Sequence, residues 1–251
     1  MMDAFIRSVT LLRDKVPDFN KYPFSIPAVH KLDSLGLHPK VTFFVGENGS
    51  GKSTLVEAIA VAAGFNAEGG SRNFKFATRS SESELHRYLR LARGVRRPKT
   101  SYFLRAESFF NVGSQIEKLD EDPLGGPPVI NAYGGVSLHE QSHGEAFLSL
   151  VKHRFRPNGL YILDEPEAAL SPQRQLSLLK VVDELARKNG AQFIIATHSP
   201  ILMAYPEALI YLLSPGGLET VRYEDTEHFA LTRDFLLAPE RYLRRLFNED
   251  T

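Results

Sequence analysis

Apolar residues in this 251-residue chain fall into short runs separated by turn residues, and the runs alternate between two periodicities. Val41–Val45 (VTFFV), Ser101–Arg105 (SYFLR), Leu160–Asp164 (LYILD) and Gln192–Thr197 (QFIIAT) have strand length, and three of them are nearly continuous apolar runs. Such runs belong to strands covered on both faces, as in a parallel sheet between two helical layers. Ala208–Leu213 (ALIYLL) and Gly217–Tyr223 predict a closing hairpin turned by Ser214-Pro215-Gly216-Gly217. Lys52–Ala63, Glu82–Arg93, Gly144–Arg154 and Pro172–Lys188 predict helices. The last has Ser171 as N-cap, Pro172 in its first position and Asn189-Gly190 as its stop. Strands alternating with helices predict an α/β architecture. Pro17, Pro23 and Pro27 mark a twisted N-terminal hairpin ahead of the first buried strand, and Glu121–Pro128 (EDPLGGPP) is the clearest flexible segment.

Composition narrows the class. The 43% hydrophobic and 24% charged fractions are those of an ordinary globular protein, large enough to bury a core without staples. The absence of Cys excludes disulfides and thiolate metal sites. Thirty basic and thirty acidic residues balance, so a nucleic-acid contact would need a local patch. The start, MMDAFIRSVTLLRDK, alternates and carries charge throughout, unlike a targeting sequence. The longest apolar run, Leu55 to Phe65, is broken by Glu57 and is too short to span a bilayer. The expectation is a cytoplasmic protein with no membrane segment of its own.

The most specific chemistry lies between the first buried strand and the first helix. Gly46-Glu47-Asn48-Gly49-Ser50-Gly51-Lys52-Ser53-Thr54 fits G-x-x-x-x-G-K-[ST], in the strand–loop–helix setting that motif requires. Its glycines let successive backbone N–H groups turn inward around a phosphate, and the helix N-terminus adds its dipole. Lys52 would reach the β and γ phosphates of ATP, and Ser53 would offer a hydroxyl to Mg²⁺. The strand Leu160–Asp164 ends in a second carboxylate, Glu165. Asp164 suits a Mg²⁺ ligand, and Glu165 suits a base that orients and deprotonates water.

Two further elements follow the same order. Gln141-Ser142-His143-Gly144-Glu145 opens a helix, and Ala196-Thr197-His198-Ser199-Pro200 ends a strand. Together with the phosphate loop and the Asp-Glu pair, they resemble the ABC ATPase superfamily over nearly the whole chain. Within it, Asp164–Pro172, Ala196–Pro200 and Ser142–Glu145 resemble the SMC/RecF-like, AAA-family soluble ATPases more than transporter subunits, and the chain looks like a small stand-alone bacterial ATPase. The resemblance implies a P-loop NTPase fold of ABC type, with a mostly parallel central sheet, an N-terminal antiparallel β part and a small helical lobe. It implies one head over residues 1–251, with a core lobe near 1–80 and 155–251 and a signature-bearing helical lobe near 81–154. It also implies ATP hydrolysis in a head-to-tail homodimer. Glu47, Asn48, Gly49, Ser50, Gly51, Lys52, Ser53 and Thr54 would bind the nucleotide. Asp164, Glu165 and His198 would complete that copy's share of the site, and Ser142 and Gly144 of the other copy would meet the γ-phosphate.

This chain departs from the family pattern at three places. The signature has His143 and Glu145 where the family has Gly and Gln. Glu167-Ala168-Ala169-Leu170 replaces the transporters' Ser-Ala-Leu-Asp. Glu107 stands where the family has a Mg²⁺-sensing Gln, with Gln115 as the other candidate for that role. Residues 108–141 leave no room for the coiled-coil arm of SMC proteins.

Several features admit two readings. His86 to Lys99 (HRYLRLARGVRRPK) holds six basic residues and no acidic one, with Arg87, Arg90 and Arg93 at helical spacing. This is a nucleic-acid or acidic-partner contact on one reading, and a solvated face on the other. Arg13 and Tyr22 are candidate adenine contacts, or part of the hairpin core. Glu224–His228 and Arg241, Arg244 and Arg245 predict an exposed C-terminal helix and its approach, salt-bridged onto the head on one reading and a partner-docking helix on the other. The work that hydrolysis performs stays open among a partner process, a nucleic-acid or defence role, and energy coupling for a transporter.

Overall fold

The computed structural model describes residues 4–71, 83–107, 109–120 and 128–247. Every residue is buried in β3 (Val41–Gly46), β6 (Gly159–Asp164) and β7 (Gln192–Ala196). They are joined by β5 (Thr100–Arg105), β8 (Leu209–Ser214) and β9 (Gly217–Val221) in a six-stranded sheet ordered β5-β6-β7-β3-β8-β9. All neighbours pair in parallel except β8 and β9, which form the expected hairpin.

The pleat divides the core into two layers. Phe43, Tyr161, Leu163 and Phe193 pack on one face against α4 (His143–Arg154) and α5 (Pro172–Asp183). Phe44, Phe103, Ile162 and Ile194 pack on the other against α2 (Lys52–Ala63) and a second sheet. Leu55, Val56 and Ile59 of α2 are fully buried there. Each contributes about 1.5–3 kcal/mol of burial, enough to fix the helix that opens at Lys52.

That second sheet is antiparallel, in the order β2-β1-β4, with β1 (Ile6–Leu11), β2 (Ser34–Gly36) and β4 (Leu89–Arg93). The expected N-terminal hairpin is therefore the pair β1–β2, separated by a 3₁₀ turn at Arg13–Lys15 and the short α1 (Pro27–His30). Gln192 locks the two sheets together: its buried amide accepts from Ile6 N at 3.0 Å and donates to Ile6 O at 2.8 Å.

The helix expected over Glu82–Arg93 is corrected. Residues 84–88 form a 3₁₀ turn, and Leu89–Arg93 is a strand paired with β1. The alternation Leu89-Arg90-Leu91 fits a pleat as well as a helix, and the open edge of β1 decides between them. The helical stripe of Arg87, Arg90 and Arg93 is dissolved with it. Arg87 pairs with Glu84 at 3.8 Å, Arg93 reaches the Ala62 carbonyl at 3.4 Å, and Arg96 bonds Asn158 and lies over the Phe5 ring.

Of the remaining elements, α3 (Phe109–Asp120) was not anticipated, and α5 ends in a π-helical turn at Glu184–Lys188. Ser171 takes the N-cap backbone conformation of α5, but its side chain makes no cap hydrogen bond. After β7 come α6 (Pro200–Met203), α7 (Glu227–Leu237) and α8 (Pro239–Phe247). The segment Glu121–Pro128 lies, but for Pro128, outside the described residues. No helix among the described residues is long and apolar enough to cross a membrane.

Candidate functional site

The carboxyl ends of the parallel strands lie at one edge, where α/β sheets bind ligands. In register, Arg105, Asp164 and Ala196 stand side by side, and Phe44 pairs with Ala196. The loop after β3 opens α2 through Gly51, whose φ of +93° suits glycine, and a Cβ there would come within 2.5 Å of Ile26 Cγ2. Lys52 is buried, and its amine donates to the Glu47 carbonyl at 2.9 Å. Burial holds that amine below its ordinary pKa, against the opposing pull of Glu165, Asp164 and Glu167. Ser50 Oγ is buried without a hydrogen-bond partner. A cavity of about 510 Å³ opens beside this loop, walled by Glu47, Asn48, Gly49 and Ser50 and, from the C-terminal side, by Glu227 and His228.

Asp164 ends β6 in near-complete burial. Desolvation pushes its carboxyl up to about 6, partly offset by Arg105 and by a hydrogen bond from Ser53. Arg105 Nη1 binds Glu57 at 2.7 Å, its Nε lies 3.4 Å from Asp164, and its Nη2 lies 3.6 Å from Glu107. Glu165 follows in the left-handed region (φ 51°, ψ 52°), which costs a residue with a side chain roughly 1–2 kcal/mol. After that turn Glu165 Oε1 lies 3.4 Å from His198 Nε2.

The loop after β7 is held from below by Glu167. Its carboxylate accepts from Thr197 Oγ1 at 2.8 Å and from His198 N at 2.5 Å. Burial raises the Glu167 carboxyl, and these hydrogen bonds oppose the rise. His198 Nδ1 lies 3.0 Å from Nε2 of His228, on α7. Both imidazoles are held below their ordinary value, by burial first and then by Lys52.

At the start of α4, Ser142 and Glu145 form a capping box, and Arg174 of α5 reaches Glu145 at 3.1 Å and Ser142 Oγ at 3.3 Å. Gly144 has no room for a side chain: a Cβ would meet the Ala169 carbonyl at 2.9 Å and Arg174 closer still. Ser142 is exposed at this helix N-terminus.

A smaller cavity of about 220 Å³ gathers Ser53, Glu107, His143, Asp164 and Glu165. Its donor set includes a hydroxyl and a buried carboxylate whose Oδ1 has no hydrogen-bond partner. A hydroxyl and carboxylates of this kind fit a Mg²⁺ ion, which takes oxygen ligands and keeps several from water and phosphate. Glu107 is exposed on that wall, whereas Gln115, on α3, is not part of it.

Comparison with known proteins settles the family. Residues 19–120 match the family profile described as "AAA domain", and residues 129–204 match one described as "AAA domain, putative AbiEii toxin, Type IV TA system". The thiamine import ATP-binding protein ThiQ of Cereibacter sphaeroides is 30% identical over 174 residues, covering 62% of this chain and 69% of that protein. The chain belongs to the ABC class of P-loop ATPases. Among solved structures, a metal-chelate type ABC transporter in an inward-facing conformation superposes with a TM-score of 0.53 at 16% identity, covering 92% of this chain and 88% of the other. The SMC head domain of Thermotoga maritima gives 0.46 at 18% identity, over 86% and 98%.

In this ABC ATPase the fold brings Lys52, Ser53, Asp164, Glu165 and His198 to one edge, with Thr54 beneath Tyr22, whose hydroxyl lies 3.3 Å from Thr54 Oγ1. Arg13 is elsewhere: it donates to the His30 and Leu32 carbonyls, pairs with Asp33 and lies over the Phe19 ring. Arg105, Glu167, Arg174 and His228 were given no role at the site from the sequence. Glu57, the one charge in an apolar run, and Arg105, the charge ending a strand, were visible signals of a buried pair. Nothing local marked His228.

Proposed function

We propose that this ATPase hydrolyses ATP between two copies arranged head to tail. Each site would take Lys52, Ser53, Asp164, Glu165 and His198 from one copy, and Ser142 and Gly144 from the other. The observation that carries this reading is that the first five residues converge at one sheet edge while Ser142 stands exposed on a separate helix N-terminus. A helix end of that kind suits an anion presented by another molecule. Glu47–Thr54 would cradle the phosphates, with Ser50 Oγ as one donor. Ser53 and Asp164, with Glu107 on the same wall, would hold Mg²⁺, which offsets charge on the β and γ oxygens. Glu165 would orient and deprotonate the attacking water, and His198 Nε2 would donate to the γ-phosphate.

In the Glu165→Gln variant, ATP–Mg²⁺ should shift the protein from monomer to dimer in size-exclusion chromatography with light scattering. Lys52→Ala should abolish turnover. A Glu165→Gln protein that stays monomeric with ATP bound, or a Lys52→Ala protein with normal turnover, overturns the reading. ATP-driven dimerisation would then license a partner process in the cytoplasm. The thiamine-import relative favours a second reading, the energy-coupling subunit of a transporter. Recovery of the native protein with a membrane-embedded partner would select it.

A further inference from the structure

His198 is paired with a residue that lies outside all four ordered motifs. His228 enters from the first turn of α7 and places Nε2 3.0 Å from His198 Nδ1. Two neutral imidazoles in such contact must divide the roles, one ring donating and the other accepting. The surroundings decide which. The two outer nitrogens, His228 Nδ1 and His198 Nε2, are both buried with no hydrogen-bond partner, so burial alone does not choose which of them carries the second hydrogen. Glu165 does: its Oε1 lies 3.4 Å from His198 Nε2, and a carboxylate favours an N–H opposite it over a lone pair. With that hydrogen on His198 Nε2, its Nδ1 is the acceptor, and His228 donates to it from Nε2.

We propose that His228 is a positioning residue that sets the tautomer of His198, so that Nε2–H is presented as a donor at the phosphate edge of the site. This rests on the assignment of His198 to the γ-phosphate under the proposed function. The opposite tautomer would aim a lone pair at an anion and repel it. The main-chain clamp from Glu167 fixes where the loop lies, and the contact from His228 fixes which ring nitrogen carries the hydrogen. A contribution from α7 to the phosphate edge also means that ordering of this helix and competence of the site are linked.

The test combines turnover with nitrogen-15 spectra of histidine-labelled protein, His198 being assigned from His198→Ala. In the wild type, His198 Nδ1 should resonate as an unprotonated nitrogen and Nε2 as a protonated one. His228→Phe should mix the two tautomers and lower kcat by about tenfold or more, with KM for ATP little changed. His228→Gln, whose amide can still donate, should keep the wild-type tautomer and kcat within about threefold of normal. A wild-type His198 protonated on Nδ1 overturns the proposal. So does a His228→Phe protein with unchanged tautomer and unchanged kcat. Normal turnover in His198→Ala would instead reject the role given to His198, while the spectra still decide what His228 does. If His228→Phe does not fold, the wild-type and His228→Gln spectra carry the decision.

Discussion

Arg105 and Asp164 end neighbouring parallel strands in register, and one guanidinium spans Asp164 on its own sheet and Glu57 on α2. Arg105 and Glu57 are both largely buried, with side chains 17% and 11% exposed, so removing the cation leaves an uncompensated charge inside the protein. Arg105→Leu should cost about 3 kcal/mol in urea unfolding. Arg105→Lys should recover only part of that, since a single ammonium cannot reproduce the planar fork that meets two carboxylates. Arg105→Leu combined with Glu57→Leu should be more stable than Arg105→Leu alone. An Arg105→Leu protein with the wild-type urea midpoint would show that the cluster does not hold the strand ends together.

Tyr22 and Arg13 should separate cleanly in binding measurements. Tyr22 is 67% exposed and lies against Thr54, whereas Arg13 is consumed by two carbonyls and an aspartate of its own loop. Tyr22→Ala should weaken nucleotide binding about fivefold, the loss of roughly 1 kcal/mol of aromatic contact, and leave the thermal midpoint unchanged. Arg13→Ala should do the reverse, lowering stability by about 1–2 kcal/mol at constant affinity. Isothermal titration and thermal melts of the two variants read both effects, and equal effects on affinity would refute the division.

The histidine pair predicts an acid-side loss of stability. His198 faces Glu165, Lys52 and His228, while His228 also faces Glu227 and Glu47. Both rings have folded-state values depressed below 6.5, so the unfolded chain takes up protons near that pH that the folded chain refuses. Their stabilising contribution is complete above pH 6.5 and is lost as the pH falls through their lowered values. Asp164, raised from 3.8 to about 6, acts in the opposite sense over its own window, so the wild type alone is a poor reporter. The difference in thermal midpoint between wild type and His228→Gln isolates the pair. That difference should move against the wild type between pH 7.5 and 5.5, and a constant difference would refute the prediction.

The placement of the candidate site was legible wherever its residues are consecutive. Gly46–Thr54, Asp164-Glu165 and Thr197-His198 lie at or just beyond the ends of strands whose apolar runs leave one interpretation, because both faces are covered. Leu89–Arg93 was misread because its pattern satisfies two periods, and only the distant edge of β1 selects the extended one. Phe109–Asp120 was missed for a related reason. Its run FFNVGSQIEKLD does carry Phe109, Val112, Ile116 and Leu119 at helical spacing, but the mid-run glycine, the best-placed interruption of a helix, masked that periodicity. His228 is a third case: its partner is 30 positions away, and nothing around it suggests a ring to pair with. Long-range hydrogen bonds leave no spacing to read.

The strand β4 has a consequence of its own. Among the described residues it is the outer member of its sheet, with one line of main-chain N–H and C=O groups facing away from β1, and Arg90 and Arg93 are exposed along it. An open backbone edge recruits any extended chain that meets it, and bulky cations beside it make that addition unfavourable. The opposite edge, β2, is only three residues long and offers little to join. The arginine-rich run thus places cations along the strand edge where addition of a further strand would otherwise be easiest.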